Sequence, residues 1–214
     1  MISSAKWRSC WSAIWRPGTR GSLLANWAGV AGRPRYSDAV VVVRLRAVRA
    51  EDLPALSAGD AKDDPFGFFG FTGVNALERR FTANGLISDD AGVLAVDDEA
   101  GVLVGQVSWF AVQHGPSSTA RALNIGIILL PEHRRRGLGS SAQAAFAEYL
   151  FNTTLVERLE AGTDVGNVAE QRALAKAGFH REGIARHAQF RDGQWRDLVM
   201  FSRLRGDPPT QLVS

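Results

Sequence analysis

The residues best suited to chemistry lie in one run, Pro131-Glu132-His133-Arg134-Arg135-Arg136-Gly137-Leu138-Gly139-Ser140. An apolar stretch, Leu123 to Leu130, precedes it. Ala142, Ala145, Phe146, Tyr149 and Leu150 follow at the spacing of one helix face. A glycine turn that opens a helix is a natural anion site, because the first backbone N–H groups lack intrahelical partners and the helix dipole adds partial positive charge. Glycines allow close approach of an anion and permit positive φ. Arg134, Arg135 and Arg136 add charge that can reach a second phosphate. The backbone of Leu129 and Leu130, at the strand end, can pair with an amide-bearing chain. The bland alternative is a tight turn with solvated arginines, and the strand before it, the helix after it and the three arginines weigh against that.

One nucleotide motif competes for the same glycines. Gly137-Leu138-Gly139-Ser140-Ser141-Ala142 satisfies the dinucleotide fingerprint G-x-G-x-x-A. In that fold the first glycine follows its strand almost directly and the motif opens the domain, whereas here Pro131 to Arg136 intervene and antiparallel strands come first. No G-x-x-x-x-G-K-[ST] is present in the chain.

Candidates for moving a proton are His114, Glu132, Glu160 and Asp164, all near expected strand ends. Histidine's ordinary pKa suits a general base at neutral pH. His114 and Glu132 are the two catalytic residues named here, although a loop histidine and a turn glutamate are each more often solvated. Ser140 and Ser141 offer hydroxyls, and helix-start serines are usually caps. Asn167-x-x-Glu170 forms a capping box, and Gly178 reads as the glycine that ends a helix. The single cysteine, Cys10, forms no intramolecular disulfide, and no Cys/His cluster has zinc spacing, so no metal is expected.

Several elements must position these groups. Val40 to Val48 reads as a strand, and Arg49 to Leu53 starts a short helix. Asn75 to Phe81 is helical, and Pro65 to Phe71 is an aromatic, glycine-rich loop that serves either the core or an acceptor pocket. Gly92–Val96 and Val102–Phe110 form a hairpin around the loop Asp97 to Gly101. Then come a strand at Leu123–Leu130, a helix from Gly139, a strand at Arg158–Thr163, a helix over Val168–Ala177, and a hairpin turning at Asp192-Gly193. This order predicts an α/β chain with a mixed sheet, antiparallel on one side, with a parallel pair joined by the helix over 139–153.

The 214 residues, 45% hydrophobic and 22% charged, suit one globular domain. The net charge of +3 conceals an asymmetry. Residues 1–38 carry Lys6, Arg8, Arg16, Arg20, Arg33 and Arg35 against Asp38 alone, so the remaining chain is net negative and the basic balance argues poorly for nucleic acid. Trp7, Trp11 and Trp15 form an i, i+4, i+8 stripe in this leader. It reads as a disordered extension, with a partner-binding helix as the sharper alternative. The domain is placed at 40–206 and a tail at 207–214. No apolar run is long enough to span a bilayer as a helix, and a reducing, cytoplasmic setting is expected.

Arg134-x-x-Gly137-x-Gly139 matches the pattern [QR]-x-x-G-x-[GA]. Asn167-Val168-Ala169, followed by Lys176-Ala177-Gly178-Phe179 and Glu182-Gly183, matches a second block at the right separation. On these residues the chain resembles the GNAT-family N-acetyltransferases, and within them the RimJ and RimL branch, over residues 42–205. The resemblance implies a GNAT fold, a mostly antiparallel central sheet whose parallel strands Leu123–Leu130 and Arg158–Thr163 splay apart with helices on the flanks. It implies acetyl-CoA as co-substrate, held by Leu129, Leu130, Arg134, Arg135, Arg136, Gly137, Leu138, Gly139 and Ser140, with Asn167 facing the pantetheine arm. It further implies direct attack of an amine, on a protein N-terminus or a small molecule, at the thioester. Neither nucleic acid nor membrane is an expected partner, and a homodimer is left open. Two departures stand out: the position of the family's tyrosine acid is Leu174, and the serine expected three residues after the asparagine is Glu170. They give weight to an alternative, a non-catalytic coenzyme-A-binding module. A third class is an adaptor acting through the leader.

Overall fold

The computed structural model describes residues 41–58, 66 and 76–208. The leader, the aromatic loop apart from Phe66, and the tail beyond Pro208 lie outside the described residues. The strands are β1 (Val43–Ala47), β2 (Ala91–Asp98), β3 (Leu103–Gln113), β4 (Arg121–Leu129), β5 (Arg158–Asp164), β6 (His180–Arg191) and β7 (Gln194–Leu204). The helices are α1 (Leu53–Ala58), α2 (Ala76–Asn84), α3 (Leu138–Thr153) and α4 (Val168–Lys176), with 3-10 turns at Ala50–Asp52 and Pro131–His133. One sheet takes the order β1-β2-β3-β4-β5-β7-β6, and every neighbouring pair is antiparallel except β4 and β5.

Side-chain alternation on β2 shows how the sheet is covered. Leu94 and Val96 point into a core shared with Phe146, Ala147 and Leu150 of α3 and Leu174 of α4. Val93 and Ala95 point the other way, against Leu53 and Leu56 of α1, with Leu77 and Phe81 of α2 packed alongside. The α3 core has a specific anchor. Trp109 on β3 lies across Gly92, where an added Cβ would fall 1.9 Å from the indole, and its ring stands 6.0 Å from that of Phe146. Gly92 is therefore required by close approach, and the Trp109–Phe146 contact fixes α3, whose first turn is the glycine-arginine segment, onto the sheet.

Two expected boundaries move for local reasons. The first strand begins at Val43, later than Val40, and Val41 packs against the α3 core beside Gly137. The β2–β3 loop is shorter than Asp97 to Gly101. The Asp98 carboxylate folds back to accept from the N–H groups of Ala100 and Val102, at 3.0 Å each. Asp97 stays in the strand, where it accepts from Arg46 Nε at 2.6 Å. Arg46 also reaches Asp52 at 2.6 Å, locking β1, the first 3-10 turn and β2 together, and this guanidinium holds the Asp52 carboxyl below its usual range.

The parallel pair is the feature that shapes the site. β4 and β5 share only two register pairs, Leu123 with Leu159 and Asn124 with Glu160. Beyond them the strands part. Each stays fully held by its other neighbour, β4 by β3 along its whole length and β5 by β7 from Arg158 to Asp164. The opening is thus a local parting between two strands that each keep their other neighbour, and the starts of α3 and α4 flank the carboxyl ends of the two diverging strands. That is where open α/β sheets bind their ligands.

Candidate active site

The β4 side of the opening presents an uncovered backbone edge. Leu130 contributes nothing to it, since its N–H donates to the Val104 carbonyl and its own carbonyl accepts from His133 N–H, both at 2.9 Å. Antiparallel alternation therefore turns Ile127 and Leu129 toward the gap. The Leu129 carbonyl accepts from Arg134 Nε at 3.0 Å, which leaves Ile127 and the Leu129 N–H facing the gap. From Asn124, at the apex, to Leu129 is about 17 Å at roughly 3.3 Å per residue, close to the reach of an extended pantetheine arm.

The glycine-arginine turn sits at the far end of this edge. Arg135 (φ 60°) and Gly137 (φ 78°) are both left-handed. Alternating backbone of this kind turns successive N–H groups into one concavity, and a non-glycine residue held there marks stored strain. Gly137 caps α3, and Ser141 N–H is the first to bond back, to the Gly137 carbonyl at 3.3 Å. The N–H groups of Leu138, Gly139 and Ser140 thus precede the helical ladder and point outward. A Cβ at Gly137 or Gly139 would make ordinary contacts of 3.4 Å with Val41 and 3.6 Å with Leu129. What these glycines secure is a left-handed φ at 137 and a bare backbone at 139, and that geometry fits a pyrophosphate. Ser140 Oγ donates to the Gly137 carbonyl at 2.9 Å and acts as a local brace.

The three arginines do not act as a block. Arg134 is drawn back onto β4. Arg135 is exposed, and Arg136 lines a hollow on the β1 side with Val41, Asp98 and Glu99. Arg136 Nη1 also lies 3.2 Å from His133 Nδ1.

At the apex the structure joins two of the proton-transfer candidates and separates the others. His114, just past β3, places Nε2 2.6 Å from Oε1 of Glu160, the residue at the last β4–β5 register pair. Glu160 is buried, while the His114 side chain is 51% exposed, so one end of the imidazole is held and the other is open. Arg158 Nε donates to the same Glu160 oxygen at 2.6 Å and Nη1 donates to Glu182 at 2.8 Å. Arg158, with Ser202 Oγ donating at 2.7 Å, brings the Glu182 carboxyl down to about 2. Glu132 lies in the exposed 3-10 turn at the opposite end of β4 from His114. Asp164 is committed to Arg191, which in turn sits over the Phe66 ring at 5.7 Å. The aromatic loop thus reaches the carboxyl end of β5 at the one loop position described.

Asn167 caps α4, its Oδ1 accepting from Glu170 N–H at 3.2 Å. Leu174 is 1% exposed and belongs to the core. Gly178 ends α4 with φ 83°. Sequence reasoning overlooked Arg158, whose i, i+2 spacing from Glu160 on one strand face was a readable signal. Among the described residues no group of His, Cys, Asp and Glu could hold a metal ion, and no helix is long and apolar enough to cross a membrane.

A mixed sheet with one splayed parallel pair, an anion cradle at a helix start and an uncovered strand edge between them define a class of acyl-coenzyme-binding domain. Residues 43–180 match the acetyltransferase (GNAT) domain, and the chain belongs to that family, whose members use acetyl-CoA. It is 34% identical over 116 residues to the probable N-acetyltransferase YjcK of Bacillus subtilis (strain 168), a match spanning 54% of this chain and 61% of YjcK. Among solved structures, it resembles the spermidine N-acetyltransferase of Vibrio cholerae in complex with CoA and spermine, with a TM-score of 0.64, 19% identity, and coverage of 77% of this chain and 96% of the other. It also resembles RimJ of Mycobacterium smegmatis in complex with CoA-disulfide, with a TM-score of 0.62, 24% identity, and coverage of 77% and 83%. At those identities the two structures establish the fold.

Proposed function

We propose that this chain transfers the acetyl group of acetyl-CoA to a primary amine by direct attack. The observation that carries the reading is the β4–β5 opening, with the cradle at one end of its bare edge and the His114–Glu160 pair at the other. Bound there, acetyl-CoA supplies the activated acyl group. The N–H groups of Leu138, Gly139 and Ser140 hold its pyrophosphate, and the backbone of Ile127 and Leu129 orients its amide chain. Glu160 accepts from His114 Nε2–H, which leaves Nδ1 to take the proton of the attacking ammonium. The carboxylate then steadies the imidazolium that results.

The acceptor in this reading carries little positive charge beyond the reacting amine. The buried carboxylates at the opening are already paired, Glu160 with Arg158 and His114, and Asp164 with Arg191. Among the described residues no free acidic cluster remains there to draw a polyamine. A protein N-terminus or a small monoamine fits better, in keeping with the resemblance to RimJ and RimL. A cytoplasmic setting belongs to the same reading, supported by the lone Cys10.

The test is thiol release from acetyl-CoA with an amine panel that includes N-terminal peptides, small monoamines and spermidine. Turnover on peptides or monoamines that exceeds turnover on spermidine is the expected outcome. Tight coenzyme binding with no turnover on any amine sinks the enzyme reading in favour of a binding module.

A further inference from the structure

Two glycines stand on the diverging strands where the fold does not require them. Gly126 of β4 and Gly162 of β5 each lie two residues past the last register pair, Asn124 with Glu160, one on either side of the opening. Each is the one exposed residue of its strand. Leu123, Ile125, Leu159 and Ala161 point into the α3 core. Alternation therefore turns Asn124, Gly126, Glu160 and Gly162 to the other face, where His114 meets Glu160.

Other strand glycines have a packing reason. A Cβ at Gly92 would fall on Trp109, and one at Gly105 on the backbone of β4. Gly126 and Gly162 lack any such reason. Neither has positive φ, and neither sits at a bulge in its pairing with β3 or β7. A Cβ at Gly162 would meet Met200 Sδ at 3.4 Å and Leu198 Cδ1 at 3.6 Å, which are ordinary contacts. One at Gly126 would meet only Ser108 Oγ, at 3.1 Å, and a hydroxyl can turn aside. Glycine inside a strand weakens it, and one that neither conformation nor packing demands marks a place where a ligand comes close to the backbone.

Resting on the acetyl-transfer reading above, we propose that Gly126 and Gly162 form the passage by which the acceptor reaches the thioester, and that they select an α-substituted primary amine. His114 lies on the glycine face, so the attacking nitrogen arrives from that face and the carbon that bears it follows between the two strands. A linear amine places a methylene there and needs a slot only one carbon wide. The first residue of a peptide, other than glycine, places a carbon bearing both a side chain and a carbonyl, with one group turned toward each strand. Bare backbone on both sides supplies that room, and a methyl group on either strand removes it.

The experiment measures kcat/KM of full-length wild type, Gly126→Ala and Gly162→Ala on two matched pairs, a glycine-led against an alanine-led peptide and n-butylamine against sec-butylamine. Gly183→Ala is the control, because Gly183 lies on β6, beyond β7 from the opening, and its Cβ would meet nothing within 4 Å. Wild type should use the branched member of each pair at least as well as the unbranched one. Gly126→Ala and Gly162→Ala should each raise the unbranched-to-branched ratio roughly 10- to 200-fold, the worth of one methylene in a fitted site. Coenzyme A affinity by calorimetry should be kept, and Gly183→Ala should show the wild-type ratio. If Gly126→Ala melts early through its contact with Ser108, Gly162→Ala carries the test, since its Cβ meets only ordinary contacts. Wild type that prefers the unbranched amine, a ratio that does not move in Gly162→Ala, or equal losses on both members of a pair overturns the passage while leaving acetyl transfer standing. Wild type that binds coenzyme A but turns over none of the four amines overturns the acetyl-transfer reading as well, and that arm separates the two failures.

Discussion

Replacing Glu160 by glutamine probes the apex with little change of shape. The substitution keeps the side chain's size and removes the charge that His114 Nε2 and Arg158 Nε share at 2.6 Å each. Arg158 keeps Glu182, so the strand face retains a partnered guanidinium and the fold should hold. A hydrogen bond to a charged group contributes about 1.5–3 kcal/mol. Half of the His114 ring is in water, which places the loss near the lower figure, and about 1.4 kcal/mol corresponds to a factor of ten in rate. Poorer orientation of the ring adds to this, so kcat/KM for the amine should fall roughly 10- to 100-fold at saturating acetyl-CoA, with coenzyme affinity unchanged. The double variant with His114→Ala supplies the decisive comparison. If Glu160 acts through His114, the double variant is no slower than His114→Ala alone. Additive losses, or full activity in Glu160→Gln, would refute the pairing as the proton-accepting unit.

Other expectations follow from the cradle, the sheet and the charged network. Gly139→Asp should abolish coenzyme A binding by calorimetry while circular dichroism stays native, because its side chain meets only an ordinary contact at 3.6 Å and places a carboxylate where phosphate sits; Gly137→Asp should abolish binding too, with a lowered melting temperature, because residue 137 holds φ 78°. Gly105→Val should destabilise the domain by roughly 1–3 kcal/mol or more in denaturant melts, since its Cβ would fall 2.3 Å from the Ile128 carbonyl oxygen, a backbone atom of β4. Glu182 titrates in the fold at about 2 against an ordinary 4.5, so its contribution is complete above 4.5 and is lost as pH falls through 2. Glu182→Gln should flatten that acid limb in melts recorded from pH 5 to pH 2, and an unchanged limb would show that the Arg158 pairing adds nothing.

The glycine-arginine turn and the βαβ order around it were legible because they depend on local rules: positive φ at Gly137, helical spacing from Ala142 to Leu150, an asparagine cap at Asn167 and a C-terminal glycine at Gly178. Registers and side-chain destinations were not. That Leu130 spends both backbone groups on Val104 and His133 depends on which parity of β4 faces β3, and no residue pattern fixes that choice. Glu132 and His114 looked equivalent as residues near strand ends, yet β4 separates them along its length. His114 acquires its meaning only through Glu160, a partner 46 residues away. Asn167 reads from its spacing as a helix cap, and its Oδ1 does accept from Glu170 N–H.

The most direct test of the account is a structure of the protein with coenzyme A bound. The pyrophosphate should rest on the N–H groups of Leu138, Gly139 and Ser140, with the pantetheine amides paired to Ile127 and Leu129. The sulfur should then lie between β4 and β5, on the side of the opening where His114 meets Glu160. A coenzyme lodged elsewhere, for example in the hollow beside Arg136, Asp98 and Glu99 with its thiol outside the opening, would contradict it.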